Sequence, residues 1–401
     1  PSELSYTIGI NRSIPCLDLE AADDFVVTAS GGSGVSVFYL EELRPSLLET
    51  HLVRDPSFTQ PLGRYFAIDN NIGYFVYTSN GRSNPGGLDI IDLHDPSQPE
   101  LLSRYPSFNP TGVVVSDSVA YVADGSRGVD VLDISDPLNP SRITLVTTPD
   151  DARFVSLDNN LLYVAANNAG LLVYDISDPS LPTLVGTYDT PGAAYVVQLH
   201  DGIAYVAANS FVRLLDVSEP GSIVEIGAVD VDLAWDLTVD FPHVYVPNGE
   251  SGLAVIDVSD PTNPVIVSEY DTAFCHGITH QGTKVYLTDH FALNIFDVSD
   301  PTNPVLVGVH DTPGDSEDVT VANGFAYVPD WDRGLQIFDI SSDCSSPCLP
   351  DTNHDGVLSP ADFSAWVAAF NASAPECDQN GDGSCSPADF SAWVANYNAG
   401  C

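Results

Sequence analysis

Short apolar runs of four to six residues, rich in Val, Ile, Tyr and Phe, recur along the first 340 or so residues, each bounded by Gly, Asn, Asp or Pro. β-branched and aromatic residues suit a pleated, half-buried surface, so bounded runs of this kind predict strands joined by tight turns. The last set reads "VLVGVHDT" from Val305, "EDVTVANG" from Glu317, "FAYVPD" from Phe325 and "GLQIFDIS" from Gly334. The same order repeats upstream. The Asp that ends the fourth run falls at Asp92, Asp133, Asp175, Asp216, Asp257, Asp297 and Asp339, at intervals of 41, 42, 41, 41, 40 and 42 residues. A degenerate eighth copy, "GVSVFYLEELRP", spans Gly34 to Pro45 and carries Tyr39 in place of the Asp. Ser-Asp-Pro usually follows. Asp bonds its own backbone in such a segment and Pro cannot extend a ladder, so these Asp residues are expected to form turns rather than to bind metal.

Four strands per 41 or so residues, in tandem, predict an all-β protein built as a β-propeller of four-stranded blades. "YVA"-like runs occur eight times, at Phe25, Tyr74, Tyr121, Tyr163, Tyr205, Tyr245, Tyr286 and Tyr327. Eight blades fit that count, with seven as the alternative. The "YVA…GLxVxDISDPxxP" pattern resembles the LVIVD-repeat propellers of secreted and surface proteins, over residues 1–342. That resemblance implies that the "VTVANG"-type run is the inner strand of a blade and the "LVGVHDT"-type run its outermost. The last repeat then stops after its third strand, near Ile340. "SYTIGI", Ser5 to Ile10, is expected to supply the missing outer strand and so close the last blade.

Beyond a linker at 343–350 the pattern changes. "DTNHDGVLSPADFSAWVAAFNA" begins at Asp351 and "DQNGDGSCSPADFSAWVANYNA" at Asp378, and the two agree at 16 of 22 positions. Calcium takes six to eight oxygen ligands from loops in which positions 1, 3, 5, 7, 9 and 12 donate and a Gly at position 6 turns the chain. The first loop offers Asp351, Asn353, Asp355, the backbone carbonyl of Val357, Ser359 and Asp362, with Gly356 at the turn. The second offers Asp378, Asn380, Asp382, the carbonyl of Ser384, Ser386 and Asp389, with Gly383. Each loop runs through "SPAD", a helix start with Ser as cap and Pro in the first turn. Phe363, Trp366 and Phe370 then share one helix face, as do Phe390, Trp393 and Tyr397. Two bound Ca2+ ions are expected.

Duplicated calcium loops with Asp at position 12, each followed by one helix, resemble the dockerin module. The resemblance covers about residues 348–401 and implies a small α-helical domain, 351–401, that docks onto a cohesin-like protein. The Cys-flanked "PADFSAWVAAFNA" form is similar to dockerin-like tails on exported proteins of marine bacteria.

Composition narrows the partners. The chain has 56 Asp and Glu against 12 Lys and Arg, a formal charge of -44. Phosphate backbones need basic patches, so nucleic acid is excluded as a partner, and no apolar run is long enough to insert in a membrane. Seven Cys, five of them in the last 58 residues, suit an extracellular or cell-surface protein. With no Met and a start at Pro1, the chain is expected to be a processed form with its signal peptide removed. The five local cysteines allow 15 ways of drawing two bridges and one thiol. In the propeller, His276 and His280 share a strand face beside Cys275 and near His290, a candidate metal site. Asp315, Glu317 and Asp318 are candidates for the channel mouth, and Asp330, Trp331 and Asp332 read as a solvated acidic hairpin. No nucleophile motif, phosphate loop or zinc-protease motif occurs. The expected function is therefore a non-enzymatic, exported structural or interaction protein. It assembles through its calcium-dependent tail on another copy of itself, as a filament or surface layer, or on a cohesin-like partner. The alternatives are a propeller that binds a glycan or other ligand with the tail as anchor, and a hydrolase or lyase sited in the channel.

Overall fold

In a computed structural model, the described residues are 62–340 with a few positions omitted, the strand pair Phe25–Ser30 and Gly34–Tyr39, and Trp366, Val367 and Phe370. Residues 1–340 and 341–401 form separate compact units. The expected N-terminal closing strand, the two calcium loops with all their ligands, and the dockerin-like module apart from Trp366, Val367 and Phe370 lie outside the described residues.

Seven antiparallel sheets form the ring. Blade 2 shows the plan: Gly112–Ser116 is innermost, followed outward by Val119–Ala123, Val129–Asp133 and Ser141–Val146. The innermost strands of the other blades are Leu62–Asp69, Phe154–Asp158, Ala194–His200, Thr238–Asp240, Cys275–Gln281 and Thr320–Ala322. Each lies against the innermost strand of the next blade. The strand order within the repeat is thus the one implied by the resemblance to LVIVD-repeat propellers. In blade 4 one continuous run, Ile203–Asp216, takes the place of two middle strands. Blade 7 has three described strands, the third being Gly334–Asp339.

The blade count is seven, which corrects the expectation of eight. Blade 1 packs directly on blade 7: Thr320 Oγ1 donates to the Phe66 carbonyl at 2.6 Å, the Phe66 and Tyr327 rings stack at 5.1 Å, and Arg64 pairs with Glu317 at 3.1 Å. These contacts leave no place in the ring for another blade. The degenerate copy forms only a two-stranded hairpin, with Phe25 opposite Tyr39 and Ser30 opposite Gly34, which joins no blade among the described residues. An apolar alternating pair of runs is enough to look like half a repeat, but a blade needs four.

The repeat residues explain the packing. The Tyr of each "YVA" run, at Tyr74, Tyr121, Tyr163, Tyr205, Tyr245, Tyr286 and Tyr327, is buried between blades. The turn aspartates behave as expected. Oδ1 of Asp92, Asp133, Asp175, Asp216, Asp257 and Asp297 accepts the backbone N–H two residues on, at 2.8–3.0 Å. The Pro-containing turn of one blade then rests on the outermost strand of the blade before it. Ser103 Oγ donates to the Pro137 carbonyl at 2.6 Å and Ser268 Oγ to the Pro301 carbonyl at 2.8 Å. At the matching positions Gly186 and Gly227 leave the space that a side chain would take, under the carbonyls of Pro220 and Pro261. The acidic hairpin of blade 7 differs from its expected solvated state: Asp330 is buried, and the Arg64 guanidinium covers the Trp331 ring at 3.9 Å.

Candidate functional site

The inner strands begin at one mouth of the central channel. Thr111, Arg153, Tyr195, Asp236, Gly277 and Asp318 stand one repeat apart at their starts, with Arg64 and Tyr65 in the equivalent place in blade 1. All of these except Gly277, joined by Trp235, His276 and Glu317, line a cavity of about 150 Å³. Some of them tie blades together. Thr111 Oγ1 donates to the Arg153 carbonyl of blade 3 at 2.7 Å. The Asp236 carboxylate accepts from Leu237 N at 2.7 Å and from Ile278 N of blade 6 at 3.0 Å, and Asp318 accepts a backbone N–H from Phe66 of blade 1. A side chain at one position of the repeat thus clasps the next blade in at least three places. Gly277 has no room to do so, since a Cβ there would sit 2.4 Å from the Asp318 Cα.

Burial pushes the Asp236 acid up to about 7, against the pull of its two backbone N–H bonds. Burial also raises Asp318, and the Asp236 charge adds to it. The buried Tyr65 hydroxyl is raised by desolvation and then by both carboxylates. Besides these three, Glu317 is the charged neighbour acting on Asp318. An acid whose folded pKa is raised keeps its proton in the native chain at pH values where the unfolded chain has lost it. The stability from Asp236 is present below the ordinary carboxylate pKa of about 4 and is lost as pH rises toward about 7, and the contribution of Asp318 has the same sign. The turn aspartates act in the opposite sense. Ser hydroxyl and backbone donors lower Asp133, Asp175 and Asp216, whose contribution is lost as pH falls below about 4. The melting temperature is therefore expected to fall between pH 5 and pH 8, and Asp236→Asn, which keeps an acceptor for the clasp, should flatten that fall. Parallel pH profiles for the two proteins would overturn this assignment.

Around the same mouth, His276 and His290 lie with ring centroids 5.0 Å apart, and His290 Nδ1 is 2.5 Å from Asp315 Oδ1. Burial lowers His276 to about 4, opposed by the Asp315 charge. Burial pushes Glu317 up to about 7 against its Arg64 partner. His280, the expected companion of His276, is elsewhere: its ring stacks on Tyr245 at 5.5 Å and its Nε2 is 3.3 Å from Asp240. A bulge between Cys275 and Ile278 shifts the register and separates the two histidines. Cys275 is a buried thiol, pushed up to about 12 by desolvation, with Sγ 2.9 Å from Thr272 Oγ1. Glu317 and Asp318 line the mouth cavity, and Asp315 meets His290 beside it. Arg64, Arg153, Trp235 and Asp236 went unnoticed in the sequence because the residue type changes from blade to blade. The repeat period itself would have found them, by reading down the position at the start of every inner strand.

These blades define a seven-bladed β-propeller with a polar channel mouth. Residues 83–106, 110–148, 149–190, 191–231, 233–272, 282–312 and 313–352 each match the LVIVD repeat, and the chain belongs to the LVIVD-repeat family. No curated protein matches it. Among solved structures it is similar to the WD40 β-propeller domain of Doa1, at 13% identity and a TM-score of 0.55, covering 70% of this chain and 97% of that one. It is also similar to the computationally designed protein Ika8, at 12% identity and a TM-score of 0.51, again over 70% and 97%. At such identities the likeness concerns the fold alone.

Proposed function

We propose that this chain is a non-catalytic, exported interaction protein that assembles with other copies of itself through its calcium-loaded tail. The propeller is the body of the particle and the dockerin-like tail its connector. The observation that carries this reading is a twelve-residue loop that occurs twice with the same donor spacing and runs each time into the same "ADFSAWVA" sequence, in a unit separate from the propeller. One such loop is a common acidic turn, whereas two with identical donor spacing suit paired calcium sites. A contact from tail to propeller that does not close on itself yields a filament. Light scattering and electron microscopy of the full chain test this. Large particles or filaments are expected in calcium and single subunits in chelator. Single subunits in both conditions overturn self-assembly and leave a cohesin-like partner as the reading to test.

A second reading has its own observation. Arg64 and Arg153 stand beside Tyr65, Tyr195 and Trp235 in the mouth cavity, a mixture of stacking faces and donors suited to a glycan or a small anionic ligand. In that case the tail is an anchor and the channel mouth is the working surface.

A further inference from the structure

Three side chains from separate segments meet beside the mouth cavity. His276 lies on the innermost strand of blade 6, His290 follows the second strand of that blade, Lys284–Asp289, and Asp315 precedes the innermost strand of blade 7. One ligand atom from each lies within 4.8 Å of the other two. We propose that His276, His290 and Asp315 form a binding site for a divalent transition-metal ion of the zinc class, with its remaining coordination positions turned to the cavity.

Several observations support the site. His276 Nε2 is buried and has no hydrogen-bond partner among the described residues. A buried imidazole nitrogen left unpaired is costly, and coordination would satisfy it. The short contact between His290 and Asp315 brings a second imidazole and a carboxylate to the same point. That carboxylate offsets part of the charge of an incoming cation. The frame is held in place. The Asp315 carbonyl accepts from Trp331 N at 2.6 Å, the Phe274 ring packs on both imidazoles at 5.2 and 5.3 Å, and Trp235 packs on His276 at 5.0 Å. Rings fixed in this way lose little freedom on binding.

The donor set selects the metal. Two imidazoles and one carboxylate suit zinc and its first-row neighbours, whereas calcium prefers an all-oxygen shell. The site is therefore chemically distinct from the tail loops, whose donors are all oxygen. Because His276 also lines the cavity, the ion's open face would look toward Arg64 and Arg153. A small carboxylate or similar anion is the fourth ligand that suits both the ion and these guanidinium groups.

The test uses the full chain with its tail loops saturated by excess calcium. Zinc titration by calorimetry should show a site that calcium does not occupy. His290→Ala and Asp315→Ala change half-exposed residues and should leave the circular dichroism spectrum intact, yet each should weaken zinc binding at least about tenfold. Cobalt in place of zinc should give ligand-field bands without thiolate charge transfer, which separates this site from the tail cysteines. Equal zinc affinity and stoichiometry in wild type and His290→Ala overturns the proposal. So does an absence of zinc binding at millimolar concentration, or a cobalt spectrum dominated by thiolate that persists in the variant.

Discussion

Replacing Gly227 with Val is expected to lower the melting temperature by roughly 4–5 °C, equivalent to about 3 kcal/mol in a propeller of this size. Gly227 lies in the outermost strand of blade 4, Val224–Ala234, opposite Leu214. A Cβ at this position would lie 2.1 Å from the Pro261 carbonyl oxygen and 3.0 Å from Pro264 Cδ. The first obstacle is backbone, in the "DPTNP" turn of the next blade, and a turn braced by its own aspartate hydrogen bonds yields poorly. Asp257 holds Ser259 N at 2.8 Å, and Asp260 holds Thr262 N at 3.1 Å and Thr262 Oγ1 at 2.7 Å. To admit a valine, blades 4 and 5 must separate along this seam, and the seam is one link of a closed ring. Gly221→Ala is the matched control. The nearest atom to a Cβ there is the Val185 carbonyl oxygen at 3.8 Å, an ordinary contact. That substitution should change stability by less than about 0.5 kcal/mol. If thermal melting finds the two variants alike, the turn does not clamp the neighbouring blade as described.

The same turn shows how far the sequence could be read. "DISDPxxP" announces its Asx turns through residue type alone, because Asp two residues before a backbone N–H has a short, local bond to make. The four strands per repeat were legible for a similar reason, since apolar runs and turn residues alternate with a fixed period, whereas which of them lies innermost came from the resemblance to LVIVD-repeat propellers. The blade count was not. Whether Phe25–Tyr39 counts as a blade depends on which strand Leu62–Asp69 packs against, and that contact with blade 7 spans more than 250 residues of chain. The channel mouth was partly legible. Asp315, Glu317 and Asp318 drew notice as an acidic group, but Asp236 and Arg153 sit among ordinary residues and gain significance only when seven strands converge. His276 and His280 misled because strand alternation places i and i+4 on one face, and a bulge cancels that rule locally.

Asp362→Ala combined with Asp389→Ala is expected to abolish assembly in calcium while leaving the propeller's melting transition in place. These residues hold position 12 of the two loops, where a carboxylate closes the oxygen shell of the ion. Losing one charged ligand per loop should weaken each site by at least about tenfold, and loop folding fails with it because ion binding and folding are linked. Residues 341–401 carry eight acidic side chains and no Lys or Arg, so without bound ions the tail meets an acidic propeller with strong repulsion. Simple screening is a rival explanation, and salt separates the two. At 0.1 M monovalent salt the Debye length is about 10 Å, which weakens repulsion between surfaces without building a loop. Sodium chloride should therefore fail to replace calcium for the wild type if the folded loops make the contact. The blades should be indifferent to the double substitution, because residues 341–401 form a compact unit of their own and the ring closes through Leu62–Asp69 and Thr320–Ala322. Sedimentation velocity with calorimetric melting reads both outcomes on one sample. If the double variant forms the same particles at the same calcium concentration as wild type, the loops do not drive assembly. The contact would then have to be sought on the propeller itself.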